Sequence, residues 1–367
     1  MSTPVRPWCR LAGLLGLLGL YTGLALGAAP APAPPQSPPP APMQMPGSGP
    51  PTEPGRSVIY LASDFRNGGV TGVYRALEEA ARLTRWQVHA EDGGGASERI
   101  GQQFSQALDR HPDALVLGGF DPLAYPEQTR MAARLHVVLV GWHAAQNPGP
   151  GAGLFYNVST DPADVARMAA DFVLDDARRR QKPVGVVIFN DDQFSVANTK
   201  TQAMKKRIEA CEDAPRCQVL AVENIRISEA GERIPERVPQ LSRQFGPAWT
   251  HSLAINDIYF DSINFPLLEA GRPDIVNVSA GDGSIKALSR IRSGRSQQAA
   301  TVAEPLSLQG YQLLDEINRA LQGVGPSGYV PQALLVVAPG PAEAQPPLDA
   351  VVDKLKKRYL SSWLGRP

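Results

Sequence analysis

The sequence predicts an α/β protein with two Rossmann-like lobes, each built on a parallel sheet flanked by helices. Strand-type and helix-type patterns alternate from residue 58 to residue 337, which indicates βαβ units. The alternation begins afresh at Asp161-Pro162, a typical helix start, so that two sets of similar size result. Apolar strands also end repeatedly in Asn, Asp or Glu. Such residues lie at a ligand crevice when the strands form an open parallel sheet.

The first set contains four predicted strands and three predicted helices. Short continuous apolar stretches predict buried strands, and apolar residues at helical spacing predict helices. Strand and helix alternate, in chain order, over 58–62, 70–83, 87–90, 96–109, 114–117, 126–135 and 137–140.

The second set begins with a long helix and continues with the same alternation. The segment 259–270 is predicted to be mostly helical, with a kink at Pro266. Helices are predicted over 162–179, 197–210 and 236–245, and strands over 184–189, 219–222, 252–255, 275–278, 301–303 and 333–337.

The first 56 residues are predicted to lie outside the fold. Arg6 and Arg10 precede an apolar run over 11–26, which is short for a membrane span. Small residues follow the run, so residues 1–28 are predicted to be a cleavable signal peptide; an uncleaved anchor is the alternative. Cys9 precedes the apolar run, which argues against a lipoprotein. Residues 29–56 are rich in proline and alanine and are predicted to be a disordered, extended linker.

Two cysteines remain once a signal peptide is removed. Because export leads to an oxidising compartment, we expect a disulfide between Cys211 and Cys217. The ring that it closes is small, so the loop-entropy model gives a stabilisation of roughly 2 kcal/mol. A zinc site is the weaker alternative, since two cysteines without a nearby histidine provide too few ligands.

Charge and motifs exclude several classes of protein. The 36 basic residues equal the 36 acidic residues in number, so nothing favours nucleic acid or an anionic membrane as a partner. The sequence has no Gly-x-Ser-x-Gly elbow, Walker loop or His-Glu-x-x-His motif. Residues 323–328 match the dinucleotide fingerprint, but a helix precedes them and a strand follows, the reverse of the required order. The acid pair at 191–192 is interpreted as part of a turn. We therefore expect no enzyme activity, no catalytic residue, no cofactor and no metal.

Weak motifs recur in a fixed order at the predicted strand ends, over 62–69, 118–122, 141–143, 155–161, 252–257 and 280–283. In their order and spacing they resemble the ribose-type, sugar-binding periplasmic substrate-binding proteins, which have the type I fold. The resemblance runs from residue 57 to about residue 337.

The resemblance implies two lobes joined by three hinge crossings, near 157–161, 303–307 and 331–334. It places the N-terminal lobe at 57–157 plus 305–331, and the C-terminal lobe at 158–304 plus 332–340. A C-terminal tail, 341–367, follows a proline-rich break and carries an amphipathic helix over 348–363. That helix is expected to pack on its own lobe; docking to a partner or a membrane surface is the alternative.

Four residues fall on positions that the family uses at its ligand. Asn67 matches the hydroxyl-binding Asn, Asn256 matches the Asn after a later strand, and Asp282 matches the binding Asp of a Gly-Phe-Asp-Gly motif. Glu304 stands where many relatives have Gln, at the second crossing. Helix capping is the alternative role for Asn256 and Asp282, and a hinge salt bridge is the alternative for Glu304.

Other positions depart from the family pattern. Glycines at 68–69 replace the usual stacking aromatics, so Phe65 is the expected substitute. Trp142 and His143 stand where the family has Asp-Arg, which implies a stacking surface and one hydrogen bond. Asn198 is the expected replacement for a missing arginine. Asp121 belongs to a polar loop at the cleft mouth, with helix capping as the alternative.

The resemblance implies a binding protein located in the periplasm. Acidic residues in the matched positions, without a matching arginine, favour a neutral sugar or polyol, an aminated sugar or a small cation over a sugar acid. We expect a monomeric receptor that closes around its ligand and delivers it to an ABC importer. The alternative is a sensor that passes its closed form to a membrane histidine kinase.

Overall fold

A computed structural model describes residues 49–211, 217–337 and 348–365; the side chains of 348–351 are outside this description. The predicted signal peptide, most of the linker and the proline-rich break before the tail helix lie outside the described residues. Two six-stranded sheets organise the described part of the chain.

The first sheet has the spatial strand order β2-β1-β3-β4-β6-β5, parallel except for β5, which pairs antiparallel with β6. Its strands are β1 Ser57–Ala62, β2 Gln87–Asp92, β3 Ala114–Gly118, β4 Val138–Trp142, β5 Gly149–Gly151 and β6 Leu154–Val158. Helices α1 Gly68–Thr84, α2 Ser97–Asp109 and α3 Pro126–Arg134 connect them. Together with α9 Leu306–Leu321, they form what we call the first lobe.

The second sheet has the order β12-β11-β10-β9-β7-β8, and only β12 runs antiparallel to its neighbour. Its strands are β7 Val184–Asn190, β8 Cys217–Asn224, β9 His251–Ala254, β10 Val276–Ser279, β11 Gln298–Ala303 and β12 Leu334–Val337. The second lobe is this sheet with helices α4 Pro162–Arg180, α5 Ser195–Glu209, α6 Ala230–Phe245, α7 Asn264–Glu269 and α8 Ile285–Ser293.

Burial on both faces explains the apolar strands. In β1, Val58 and Tyr60 pack with α1 and α9, whereas Ile59 and Leu61 pack with α2. All residues of β7 are buried, as expected of a central parallel strand covered by helices on both sides. The fold therefore confirms the predicted α/β class and its two sheets.

The chain passes between the lobes three times, as the resemblance implied. It leaves the first sheet after β6, returns after β11 to form α9, and leaves again to form β12. Residues 323–328 lie between α9 and β12, so the apparent dinucleotide fingerprint is a loop. The exact lobe boundaries stay a prediction.

Some elements differ from the sequence prediction. Strands β5 and β6 and helix α8 were not predicted, and α6 begins at Ala230 instead of residue 236. Pro235 and Pro239 lie inside α6 but outside its buried stripe. The apolar stripe packs on the lobe, and this packing outweighs the hydrogen bonds that the prolines remove.

The predicted tail helix forms α10, Leu348–Trp363, which packs on α9 of the first lobe. Trp363 is buried, stacks between Tyr311 and Tyr359, and donates from Nε1 to Asp315 at 2.9 Å. This face of α10 is therefore used by the fold itself, in line with packing instead of docking.

The predicted disulfide is present. Cys211, after α5, is bonded to Cys217, the first residue of β8, with their Cα atoms 6.3 Å apart. Among the described residues, no helix has both the length and the apolar character that a bilayer crossing needs.

Candidate functional site

A cavity lined by residues of both lobes lies between them. Its walls are loops and helix starts that follow the carboxyl ends of strands in both sheets, the position where open α/β sheets bind ligands. The first lobe contributes Ser63, Asp64, Asn67, Gly95, Gly119, Trp142 and His143. The second lobe contributes Asp191, Gln193, Phe194, Val196, Ala197, Lys200, Ile227, Ser228, Ile255, Asn256 and Asp282.

Five of the predicted ligand residues line this cavity: Asn67, Trp142, His143, Asn256 and Asp282. These residues are up to 215 positions apart in the sequence, and the fold brings them to the same cavity. Whether they contact a ligand stays a prediction.

Asn67 both starts α1 and reaches across to the second lobe. Its Oδ1 accepts from the Gly69 and Val70 amides at 2.8 and 3.4 Å, which is an N-cap. The same oxygen accepts from Nδ2 of Asn256 at 3.3 Å. The capping bonds fix the side chain at the wall of the cavity, so capping and a place in the site occur together.

Asn256 and Asp282 form a buried pair on the second lobe. Asn256 accepts from the Ile258 amide at 3.0 Å and donates to Asp282 Oδ2 at 2.5 Å. Burial, as the largest cause, raises the pKa of Asp282 above its ordinary value, and Glu304 adds to this while Lys200 opposes it. The hydrogen bond from the Ile258 amide also gives Asn256 the capping role that was its alternative.

The turn that carries Asp282 is held by a different acid. Asp257 accepts from the amides of Gly283 and Ser284 at 2.9 and 3.0 Å, and from the Gln298 side chain at 2.8 Å. Its burial and the neighbouring Asp282 raise the pKa of Asp257 to about 6. Because Asp257 and Ser284 satisfy the amides at the start of α8, Asp282 does not act as the cap there.

The two glycines at 68–69 lie where the lobes approach each other closely. A Cβ on Gly69 would lie 2.4 Å from Asp282 Oδ2 and 2.8 Å from the Trp142 ring. A Cβ on Gly68 would lie 2.6 Å from the Cβ of Ser284 on the second lobe. A side chain at either position therefore has no room in this structure.

Trp142 and His143 sit at the end of β4 with their rings side by side, 4.3 Å between centroids. Trp142 donates from Nε1 to Gln309 at 2.9 Å, and His143 Nε2 lies 2.8 Å from Glu304 Oε2. Both side chains are buried and border the cavity. The indole is therefore part of the cavity wall, and its stacking on a ligand stays a prediction.

Glu304 lies at the second crossing and connects the lobes electrostatically. Its carboxylate pairs with His143 of the first lobe at 2.8 Å, and with Lys200 of the second lobe at 3.7 Å. Burial alone would raise the pKa of Glu304, but His143, Lys200 and a hydrogen bond from Gln309 outweigh it and lower that pKa to about 2. Glu304 is not among the cavity-lining residues, so its alternative role as a hinge ion pair describes its contacts best.

Two further predicted residues lie outside the lining. Phe65 packs against Tyr60 and Tyr74, with ring centroids 6.2 and 5.4 Å away, so it does not replace the missing aromatic clamp at this cavity. Asp121 accepts from the Leu123 amide at 2.8 Å, which is the capping role that the sequence left open.

Asn198 is also outside the cavity lining. It accepts from Asn190 at 3.1 Å and donates to the carbonyl of Asp192 at 2.9 Å. Lys200, two residues later on α5, lines the cavity instead and is only 3% exposed. The acidic site therefore has a basic partner that no family position revealed.

Two aspartates in the cavity were not predicted as site residues. Asp64 pairs with Arg66 at 2.9 Å, and Arg66 donates to the Ser228 carbonyl of the other lobe, also at 2.9 Å. Asp191 accepts from the Ile227 amide at 2.8 Å, while burial raises its pKa. Asp191 follows an apolar strand directly, and Asp64 follows one after a single intervening residue. Polar residues just after an apolar strand are expected at the crevice, which we call the strand-end rule. This rule selected Asn256 and also points to these two aspartates.

The sequence matches the family model of the periplasmic binding protein domain over residues 58–325. A search of curated proteins gives no match. The structure, by contrast, is similar to many solved structures, among them solute-binding proteins.

An ABC transporter solute-binding protein from Agrobacterium vitis, with bound allitol, is 17% identical with a TM-score of 0.66, over 82% of this chain and 99% of that one. A sugar ABC transporter protein from Yersinia enterocolitica is 14% identical with a TM-score of 0.70, over 86% and 96%. An ABC transporter periplasmic solute-binding protein from Actinobacillus succinogenes, with bound D-allose, is 14% identical with a TM-score of 0.65, over 77% and 98%. At these identities the similarity concerns the fold.

Proposed function

Because the chain belongs to the periplasmic binding protein family, we propose that it is a periplasmic receptor that binds a sugar-like or polyol small molecule. In this proposal the signal peptide exports the chain, and the receptor delivers its ligand to an ABC importer by hinge closure. The protein binds its ligand without transforming it.

One observation carries the proposal: polar side chains from both lobes meet at the cavity described above, between the sheet edges. Amides of Asn67 and Asn256 and the carboxylate of Asp282 offer donors and acceptors, and the Trp142 ring offers an apolar face. Hydroxyl groups on one side of a sugar or polyol and C–H groups on the other match this combination.

Contacts between the lobes support a closing motion as part of the proposal. Asn67 meets Asn256, and Arg66 meets the Ser228 carbonyl, only because the lobes face each other closely. A ligand that touches both lobes favours the state in which both are near, so the closed population rises with occupancy. Closure also removes water, which strengthens the polar contacts.

The nature of the ligands in similar proteins supports the same class. Allitol and D-allose are bound by two of the structural relatives, and both are neutral polyhydroxyl compounds. Delivery to an importer is the part of the proposal that depends on a partner. A permease and an ATPase encoded beside this protein, with transport that requires it, are the expected findings.

Thermal unfolding with and without ligand tests the binding function. Allitol and D-allose at millimolar concentration are expected to raise the Tm of the mature protein. Asp282→Ala should abolish this rise while the ligand-free protein stays folded. The matched control is Asp192→Ala, an exposed carboxylate outside the cavity lining, which should keep the full rise. An equal rise in Asp282→Ala and wild type removes Asp282 from the site.

A further inference from the structure

Lys200 is an unusual residue for the wall of a polar cavity. It is 3% exposed and lines the cavity from α5. Its nearest anionic partner among the described residues is Glu304 Oε1, 3.7 Å from Nζ, which is too far for a hydrogen bond. Glu304 Oε1 is itself buried and has no hydrogen-bond partner within the described part of the chain.

A buried ammonium group without hydrogen bonds is costly. A purely structural lysine would be expected to form direct bonds to its carboxylate partner, as Arg319 does with Asp315 at 2.7 Å. Lys200 is instead held beside the cavity with its donors unused by described residues. This arrangement suits an ammonium group whose hydrogen bonds are completed by the ligand.

We infer that Lys200 is a specificity-determining ligand contact, which donates to an oxygen of a neutral polyhydroxyl ligand and excludes ligands that carry an ammonium group. The inference rests on the function proposed above and narrows its ligand class.

The charges around the cavity favour a neutral ligand. Asp64 is balanced by Arg66, which leaves Asp191 and Asp282 as the other carboxylates of the lining, while Lys200 lies near Asp282 and Glu304. A ligand carboxylate would face Asp191 and Asp282, and a ligand ammonium would face Lys200. A hydroxyl group avoids both conflicts, because it can accept from the ammonium and donate to a carboxylate at the same time.

A series of three ligands and two variants tests the inference. The probes are allitol, 1-amino-1-deoxy-D-allitol and D-allonate, which differ only in one terminal group. Wild type should bind allitol at least about tenfold more tightly than either charged compound, since like charges at a buried site are strongly repulsive. Lys200→Met should bind allitol about tenfold more weakly or worse, and should lower the preference for allitol over the amine at least about tenfold.

Lys205→Met is the matched control, because Lys205 lies on the same helix with its side chain 52% exposed. It should reproduce the wild-type affinities for all three probes. Ligand-free Lys200→Met should stay folded with a lower Tm than wild type, since it removes one partner of the buried Glu304 carboxylate. A lower Tm with unchanged allitol affinity identifies a structural lysine and overturns the inference.

Failure of the inference and failure of the proposed function give different results. If wild type binds allitol and Lys200→Met binds all three probes with wild-type affinities, the inference alone is wrong. If wild type binds none of the three, the proposed ligand class is wrong and the inference falls with it.

Discussion

Replacing Gly68 by alanine should weaken ligand binding by preventing full closure. The added Cβ would lie 2.6 Å from the Cβ of Ser284, about 0.8 Å closer than 3.4 Å, the near limit of ordinary contacts. Ser284 has little freedom to move, because its amide donates to Asp257 and its hydroxyl caps α8. Overpacking of this kind costs about 1–3 kcal/mol, and that cost corresponds to about a 5- to 150-fold loss of affinity.

The free-energy cost of Gly68→Ala should affect the closed state alone. Gly68 is the first residue of α1 and has no positive φ, so alanine is compatible with the backbone of the first lobe. Gly231→Ala is the control: it lies in the first turn of α6, where an added Cβ meets nothing within 4 Å.

Titration calorimetry with allitol measures the affinities, and small-angle scattering measures whether the lobes close. Gly68→Ala should bind more weakly and remain more extended at the same allitol concentration, with an unchanged ligand-free Tm. If Gly68→Ala binds as tightly as Gly231→Ala and wild type, the close approach of the two lobes is not part of binding.

Three further predictions concern stability. The double variant Cys211→Ser/Cys217→Ser should lose about 2 kcal/mol of unfolding free energy in urea and keep its ligand affinity; an affinity loss would contradict this. Trp363→Ala should lose about 3–5 kcal/mol, whereas the half-exposed Leu364→Ala should change little, and equal losses would refute the packing of α10. The pKa of Glu304 is lowered to about 2, so its stabilising effect is complete above pH 4.5 and is lost as the pH falls. Between pH 5 and pH 3, wild type should therefore lose about 2 kcal/mol more than Glu304→Gln, and parallel curves would contradict the pairing.

The strand-end rule predicted much of the site because it depends on topology alone. In a parallel sheet every carboxyl end faces the same edge, so a polar residue after an apolar strand is near the crevice whatever its neighbours are. Asn256 and Asp282 follow β9 and β10 in this way, and both line the cavity. Asp191 follows β7 in the same manner, and its interpretation as a turn residue overlooked that position.

Lys200 was missed because the facing side of a helix depends on its register. Ala197 and Lys200 are three residues apart, so they share a side of α5 and both line the cavity. Asn198 lies about 100° from Ala197 around the axis and is not among the residues that line the cavity. The sequence gives α5 no strong apolar stripe to reveal this register, and a single lysine in a helix carries no motif.

The close approach of the two lobes could not be predicted from the sequence either. The glycines at 68–69 indicated a turn, but their proximity to Asp282 and Ser284 depends on how the two lobes meet. Contacts of this kind join residues more than 200 positions apart, and no local pattern encodes them.

The central claim is that a neutral polyol binds between the lobes and is held from both sides. A crystal structure of the protein grown with allitol tests it most directly. We expect the ligand in the cavity, within hydrogen-bond distance of Asp282 and Lys200 and against the ring of Trp142. Allitol bound only on an outer surface, with the cavity holding solvent alone, would contradict the account.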